Sequence, residues 1–151
     1  MRVEIKLDYA KIRQIEKAAK DSAREALEVV CTDIQNVVPL DSGGLLNSIY
    51  VDSADMDDGF HAWIDHDMIY ARYLYMGVKM VDRDTGKGPA LIPDVGFRFR
   101  KGAKLKVKQP EEKLKFKNGR KDHWLEPYIT GDKKDFVQVE FVNALRRRVG
   151  I

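Results

Sequence analysis

Apolar and polar positions along the chain fall into stretches of different period, and each period predicts an element. Val3, Ile5 and Leu7 alternate with Arg2, Glu4 and Lys6, the period-2 pattern of a short, half-buried strand at a sheet edge. From Tyr9 to Val38 the period lengthens. Ile12, Ile15, Ala19, Ala23, Ala26, Leu27, Val30, Ile34 and Val37 recur every three or four residues, charged side chains fill the other face, and neither Gly nor Pro interrupts. One long amphipathic helix follows. Pro39 ends it, because proline lacks an amide donor and biases the residue before it away from helical geometry.

Beyond the Asp41-Ser42-Gly43-Gly44 corner, "SIYVDSA" and "FHAWIDH" have strand character and flank the turn-rich "DMDDG", which predicts a hairpin. "DMIYARYLYMG" returns to helical spacing through Ile69, Tyr73 and Met76, with Asp67 placed to cap its start and Gly77 to close its end in a left-handed conformation. Between Lys79 and Arg120 the pattern loosens. "DRDTGKGP" is turn-rich, while "FRFRKGAKLKVK" and "KLKFK" alternate apolar with basic residues, as the strands of an exposed hairpin would. Residues 79–120 therefore read as a β-arm or loop insertion that orders on assembly. "DHWLEPYI" and "KKDFVQVEFVNALRRRVG" read as helical, with a break at Pro127 or Gly131. Phe136, Val139, Val142 and Leu145 keep helical spacing, although Val137, Val139 and Phe141 also permit a strand. Arg146 to Arg148 favour the helix, since cations complement the negative end of its dipole. The expected fold is α+β: one domain over residues 1–151, a small antiparallel sheet packed by a long N-terminal and a C-terminal helix, with an extended basic insertion.

Length and composition narrow the picture. At 151 residues, with 44% hydrophobic and 34% charged residues, the chain has the balance of a single globular domain. No apolar run approaches the roughly 20 residues needed to span a bilayer, and Met1-Arg2-Val3-Glu4 begins no signal peptide, so a soluble protein made in the cytosol, without membrane contact, is expected. Cys31 is the sole cysteine, which excludes an internal disulfide and any multi-Cys zinc site. The net charge of +3 is unevenly spread: Phe97 to Lys121 holds eleven basic residues against Glu111 and Glu112, a local +9 that leaves −6 for the remainder. A basic arm on an acidic body suits head-to-tail pairing of copies, or presentation of the arm to nucleic acid.

Candidate chemistry is sparse. A phosphate-binding loop needs Lys and Ser or Thr after its glycines, and a nucleophile elbow needs glycines flanking Ser by one residue. Asp41-Ser42-Gly43-Gly44 satisfies neither and reads as a structural joint in which Asp41 or Ser42 caps the following turn. "HAWIDHD" gathers His61, Asp65, His66 and Asp67, but on a strand His61 and Asp65 share one face and His66 takes the other. Asp82, Asp84 and Glu126 could form a nuclease-like acidic cluster, without a spacing signature. No catalytic residue, metal or cofactor is assigned. The arm has the stronger claim: Arg98, Arg100, Lys101, Lys104, Lys106, Lys108, Lys115 and Lys117 alternate with Phe97, Phe99, Leu105, Val107, Leu114 and Phe116. Such a segment can bind single-stranded nucleic acid, add to a neighbour's sheet, or remain a solvated loop.

Three blocks carry a family resemblance. "VPLDSGGLLNSI" after a long helix resembles the Val-Pro-Leu/Tyr-Asp-Ser/Thr-Gly-x-Leu-x-x-Ser pattern of small tailed-bacteriophage proteins of the minor capsid or neck (head-to-tail connector) type. "YARYLYMGVKMVDRDTG" is similar to that family's Tyr-Ala-Arg-x-x-Tyr-x-Gly segment, and "HWLEPYI" to its His-x-Trp-Phe/Leu-Glu block. The blocks stand in family order over Val38 to Ile129. Gly43-Gly44 extends the usual single glycine, and "VQVEFV" is less cleanly helical than the family's last element. The resemblance implies a structural, non-enzymatic virion protein: a subunit of a homo-oligomeric neck ring contacting other neck, portal-side or tail proteins, with weak contact to DNA passing through the lumen. It also implies that Pro39, Asp41, Ser42, Gly43 and Gly44 orient the first helix. Tyr70, Arg72 and Tyr73 would build core or interface, and Gly77, Trp124 and Glu126 complete the structural motif. The alternative is a nucleic-acid-binding module using residues 97–121. A small hydrolase or nuclease is a third.

Overall fold

The long periodic segment forms helix α1, Tyr9–Ile34, in a computed structural model that describes residues 4–39, 44–68 and 70–150. Asp8 caps it, its carboxylate accepting the Lys11 N–H at 3.1 Å. The helix ends four residues before the expected Val38. The N–H groups of Val37 and Val38 both fold back onto the Ile34 carbonyl, at 2.9 and 3.0 Å, and the buried Pro39 has no N–H with which to continue. The expected N-terminal strand is a correction: residues 4–8 form none, with Ile5 82% and Leu7 59% exposed. An alternating stretch becomes a strand only when another backbone supplies its hydrogen bonds, and among the described residues no strand pairs with this one.

After the short helix α2 (Gly44–Asn47), β1 (Ile49–Met56) and β2 (Gly59–His66) form the expected hairpin, in unbroken register from Ile49↔His66 to Met56↔Gly59. One face lies on α1. There Arg24 Nε donates to Ser53 Oγ at 2.7 Å, Lys20 pairs with Asp55 at 2.7 Å, and both cations sit over the Phe60 ring. Alternation turns Tyr50, Asp52, Trp63 and Asp65 to the opposite face.

Helix α3 (Ala71–Tyr75) is shorter than predicted, and its N-cap is Tyr70. Asp67 does not cap it; its N–H instead extends the hairpin by donating to the Ser48 carbonyl. Gly77, at φ +67°, closes the helix in the expected left-handed conformation. Ile69 lies outside the described residues.

The arm is rooted differently from the expected hairpin. "FRFRKGAKLKVK" and "KLKFK" do not pair with each other. The "KLKVK" end of the first and the start of the second both run against residues 77–83: β3 (Met80–Asp82) pairs with β6 (Leu105–Val107), and Val78 bridges Lys113. Gln109 and Pro110 bulge out between these ladders, as expected where proline cannot donate. Between β3 and β6, β4 (Ala90–Ile92) and β5 (Gly96–Arg98) form a separate small hairpin.

"DHWLEPYI" is helical only over α4 (Glu126–Ile129), where Pro127 occupies the first turn and costs no hydrogen bond. The break falls at Gly131. Helix α5 (Phe136–Val149) is helical despite its alternating start, because it packs along α1. Arg147 and Arg148 both reach Glu25, the former at 2.5 Å. Val139 is exposed, and the buried face centres on Ala144. The outcome is an α+β fold in which the N- and C-terminal helices pack against small, two-stranded antiparallel sheets. Val30, Ile34, Val38, Leu45, Ala71 and Trp124 form the buried cluster at its centre.

Candidate interaction surfaces

The motif residues go mostly inward. Pro39 is buried and Gly44 opens α2, while Asp41, Ser42 and Gly43 lie outside the described residues. Tyr70 is half-buried against the core, and Tyr73 OH donates to the Leu105 carbonyl at 3.0 Å, tying α3 to the arm's root. Arg72 is exposed and has no carboxylate partner among the described residues. Gly77 is buried against Asp122; an added Cβ would lie 2.2 Å from its Oδ2. Trp124, 1% exposed, sits edge-on to Tyr75 at 5.0 Å and tilted against His66 at 5.7 Å. Glu126 is exposed and accepts from Thr130 Oγ1 at 2.6 Å.

The acidic and histidine groupings do not converge. His61 faces outward and bonds Asp58 at 2.7 Å, whereas His66 points inward onto Trp124, and its burial lowers its pKa. Asp82 and Asp84 share Arg100, while Glu126 takes Thr130. Among the described residues, no group of three or more His, Cys, Asp or Glu could hold a metal. No described helix is long and apolar enough to cross a membrane.

The basic segment divides into two populations. Arg100 neutralises the buried Asp82, whose pKa is held down chiefly by that guanidinium. Lys108 and Lys79 grip Glu112, lowering its pKa to about 2, and Arg120 Nη1 donates to the Gln35 and Val38 carbonyls. Arg100, Lys79 and Lys108 thus brace the arm's root internally, and Arg120 fastens it to the end of α1. Arg98 is half-buried and Lys113 pairs with Glu111 at 3.1 Å, whereas Lys104 and Lys106 are exposed between half-buried Ala103, Leu105 and Val107, and exposed Lys115 and Lys117 alternate with half-buried Leu114 and Phe116. Lys101, Lys104, Lys106, Lys115 and Lys117 have no carboxylate partner among the described residues. Of the arm's aromatics, Phe99 and Phe116 are half-buried and Phe97 is 52% exposed.

A second surface was not singled out from the sequence. From Glu25 to Ala71 the chain carries ten carboxylates and no lysine or arginine, a signal readable without any structure. Four of them are neutralised: Glu25 by Arg147 and Arg148, Asp33 by Lys133, Asp55 by Lys20, and Asp58 by His61 when protonated. On the outer face of the β1–β2 hairpin, Asp52 and Asp65 have no cationic partner among the described residues, nor does Asp67 just beyond. They surround Tyr50 and Trp63, and their charge, Asp65 foremost, raises the pKa of the Tyr50 hydroxyl.

Compared with protein-family models, curated proteins and solved structures, the chain matches none.

Proposed function

We propose that this chain is a structural subunit of a tailed bacteriophage or prophage, one copy of a ring in the virion neck that connects head to tail. The observation that carries this reading is where the three motif blocks go. Val38, Leu45, Ala71 and Trp124 come from all three blocks and meet in one buried cluster. Blocks that make a core are what a family of scaffolding subunits would share, whereas a shared catalytic sequence would place polar groups in a cleft. The separation of a cationic arm from an acidic hairpin also supports the reading, because each subunit of a closed ring presents two different faces to its neighbours. The remaining partners would be other neck, portal-side or tail proteins, with weak contact to DNA in the lumen.

The outward lysines favour a second reading, a nucleic-acid-binding module. Against it, Phe99 and Phe116 are half-buried and only Phe97 of the arm's three aromatics is exposed, which reduces the stacking platform that single-strand binders use. Light scattering with negative-stain microscopy over a range of concentrations tests the first reading: closed rings of one copy number with an open lumen are expected. A chain that stays monomeric at every concentration, while binding short DNA in a salt-sensitive way that Lys104→Ala and Lys106→Ala abolish, would replace the first reading with the second.

A further inference from the structure

The outward lysines and the acidic hairpin face are two surfaces of opposite sign on one chain, whose charges have no ion-pair partner among the described residues. The backbone remains laddered beside Lys104 and Lys106: Arg83 N donates to the Lys104 carbonyl at 2.6 Å, and Lys108 N to the Lys79 carbonyl at 3.0 Å. Two positions apart on an extended strand, their ammonium stems project from one face about 6.6 Å apart. On the hairpin, Asp52 lies opposite Trp63, so Asp65 is its diagonal neighbour on the same face, at a typical spacing of about 7–8 Å. The two like charges on each surface are therefore separated by nearly the same distance. Between the carboxylates stand Tyr50, 44% exposed, and the half-buried Trp63. Their rings accept the apolar stem and the charge of a lysine, and large aromatics ringed by polar groups are the usual anchors of protein interfaces.

Building on the ring reading, we propose that the outer face of the β1–β2 hairpin, with Asp52, Trp63 and Asp65, is the socket that receives Lys104 and Lys106 from the arm of a second copy of this chain. The two surfaces differ, so the contact is heterologous and each copy both gives an arm and takes one. Because all four charges are exposed, the contact weakens as salt shortens their reach below about 8–10 Å. Among the described residues, no such pairing joins the two surfaces within one chain.

Paired charge reversals test this in the full-length protein. Two variants are needed, Asp52→Lys with Asp65→Lys (reversed socket) and Lys104→Glu with Lys106→Glu (reversed arm), each first shown by circular dichroism and thermal unfolding to be folded like the unaltered protein. Light scattering at low salt should find the unaltered protein assembled and each variant alone at least tenfold weaker in association. Assembly should return when the two variants are mixed, and in a single chain carrying all four changes. If both variants assemble like the unaltered protein, the socket assignment is overturned while the ring reading stands. An unaltered protein that never assembles overturns both. Should the reversed arm lose binding to a short DNA duplex yet keep full self-association, the lysines serve nucleic acid and the assignment is likewise overturned.

Discussion

Replacing Trp124 with alanine asks whether the third motif block is core or surface. The indole is 1% exposed and joins Val30, Ile34, Val38, Leu45 and Ala71 in the central cluster. Truncating so large a buried side chain removes its transfer free energy and leaves a cavity that the neighbouring elements fill only in part. The expected loss is about 3–5 kcal/mol, a large part of the roughly 5–15 kcal/mol that holds a domain together. The edge-to-face contact with Tyr75 contributes about 0.5–1.5 kcal/mol of this, so Trp124→Phe, which keeps an aromatic edge, should cost distinctly less than Trp124→Ala. Urea unfolding followed by circular dichroism measures the difference. With a slope of about 1–3 kcal/mol per molar urea, the midpoint should fall by about 2 M for alanine. Trp63 remains as a fluorescent reporter from the opposite face of the hairpin. A loss under about 1 kcal/mol, with assembly nevertheless abolished, would refute the packing argument and make Trp124 an interface residue.

Stability should fall on acidification in two stages. The pKa of His66 is lowered by burial, so the unfolded chain takes up a proton that the fold resists. Stability declines as pH drops through the ordinary histidine range near 6.5, and a thermal-melt series with His66→Phe should flatten this stage. Glu112, held at about 2, and Glu25, Asp33 and Asp82, shifted in the same direction, contribute stability above the ordinary carboxylate range that is lost as pH falls below about 4. Gly131→Ala would put a Cβ 2.6 Å from Pro127 Cα, a backbone atom that cannot swing aside, and should cost about 1–3 kcal/mol in chemical unfolding, whereas Gly88→Ala, with open space around it, should be neutral. Deleting residues 1–7 should leave the melting temperature unchanged, because Ile5 and Leu7 are exposed and Asp8 still caps α1.

Period alone made α1, the β1–β2 hairpin and the stretches around α3 and α5 legible, since each carries its own stripe or alternation. Pairing was not legible. Val3, Ile5 and Leu7 alternate as convincingly as a real strand, but whether a strand forms depends on a partner that local sequence does not identify. The same holds for the arm: "KLKFK" and "FRFRKGAKLKVK" match in pattern, yet both align on residues 77–83. In "VQVEFV" the local alternation was overridden by packing on α1. The candidate surfaces were half legible. The +9 segment stood out, although composition could not tell the root cations Arg100, Lys108 and Arg120 from the outward Lys104 and Lys106. The acidic hairpin face required only a search for missing lysines.

The ion pair between Arg147 and Glu25 closes a separation of 122 residues, and Val30 meets Trp124 in the same core. During synthesis, α1 therefore emerges long before the segments that cover it. At about 5–20 residues per second, the delay is on the order of ten seconds. Throughout that interval the stripe of Ala26, Val30 and Ile34 lacks the cover of Trp124 and α5, with only Val38, Leu45, Ala71 and the β1–β2 hairpin at hand to shield it from water and other nascent chains. The charged residues on the other face of α1 then matter most before the fold exists: they keep a helix without its partners from sticking to its neighbours on the same message.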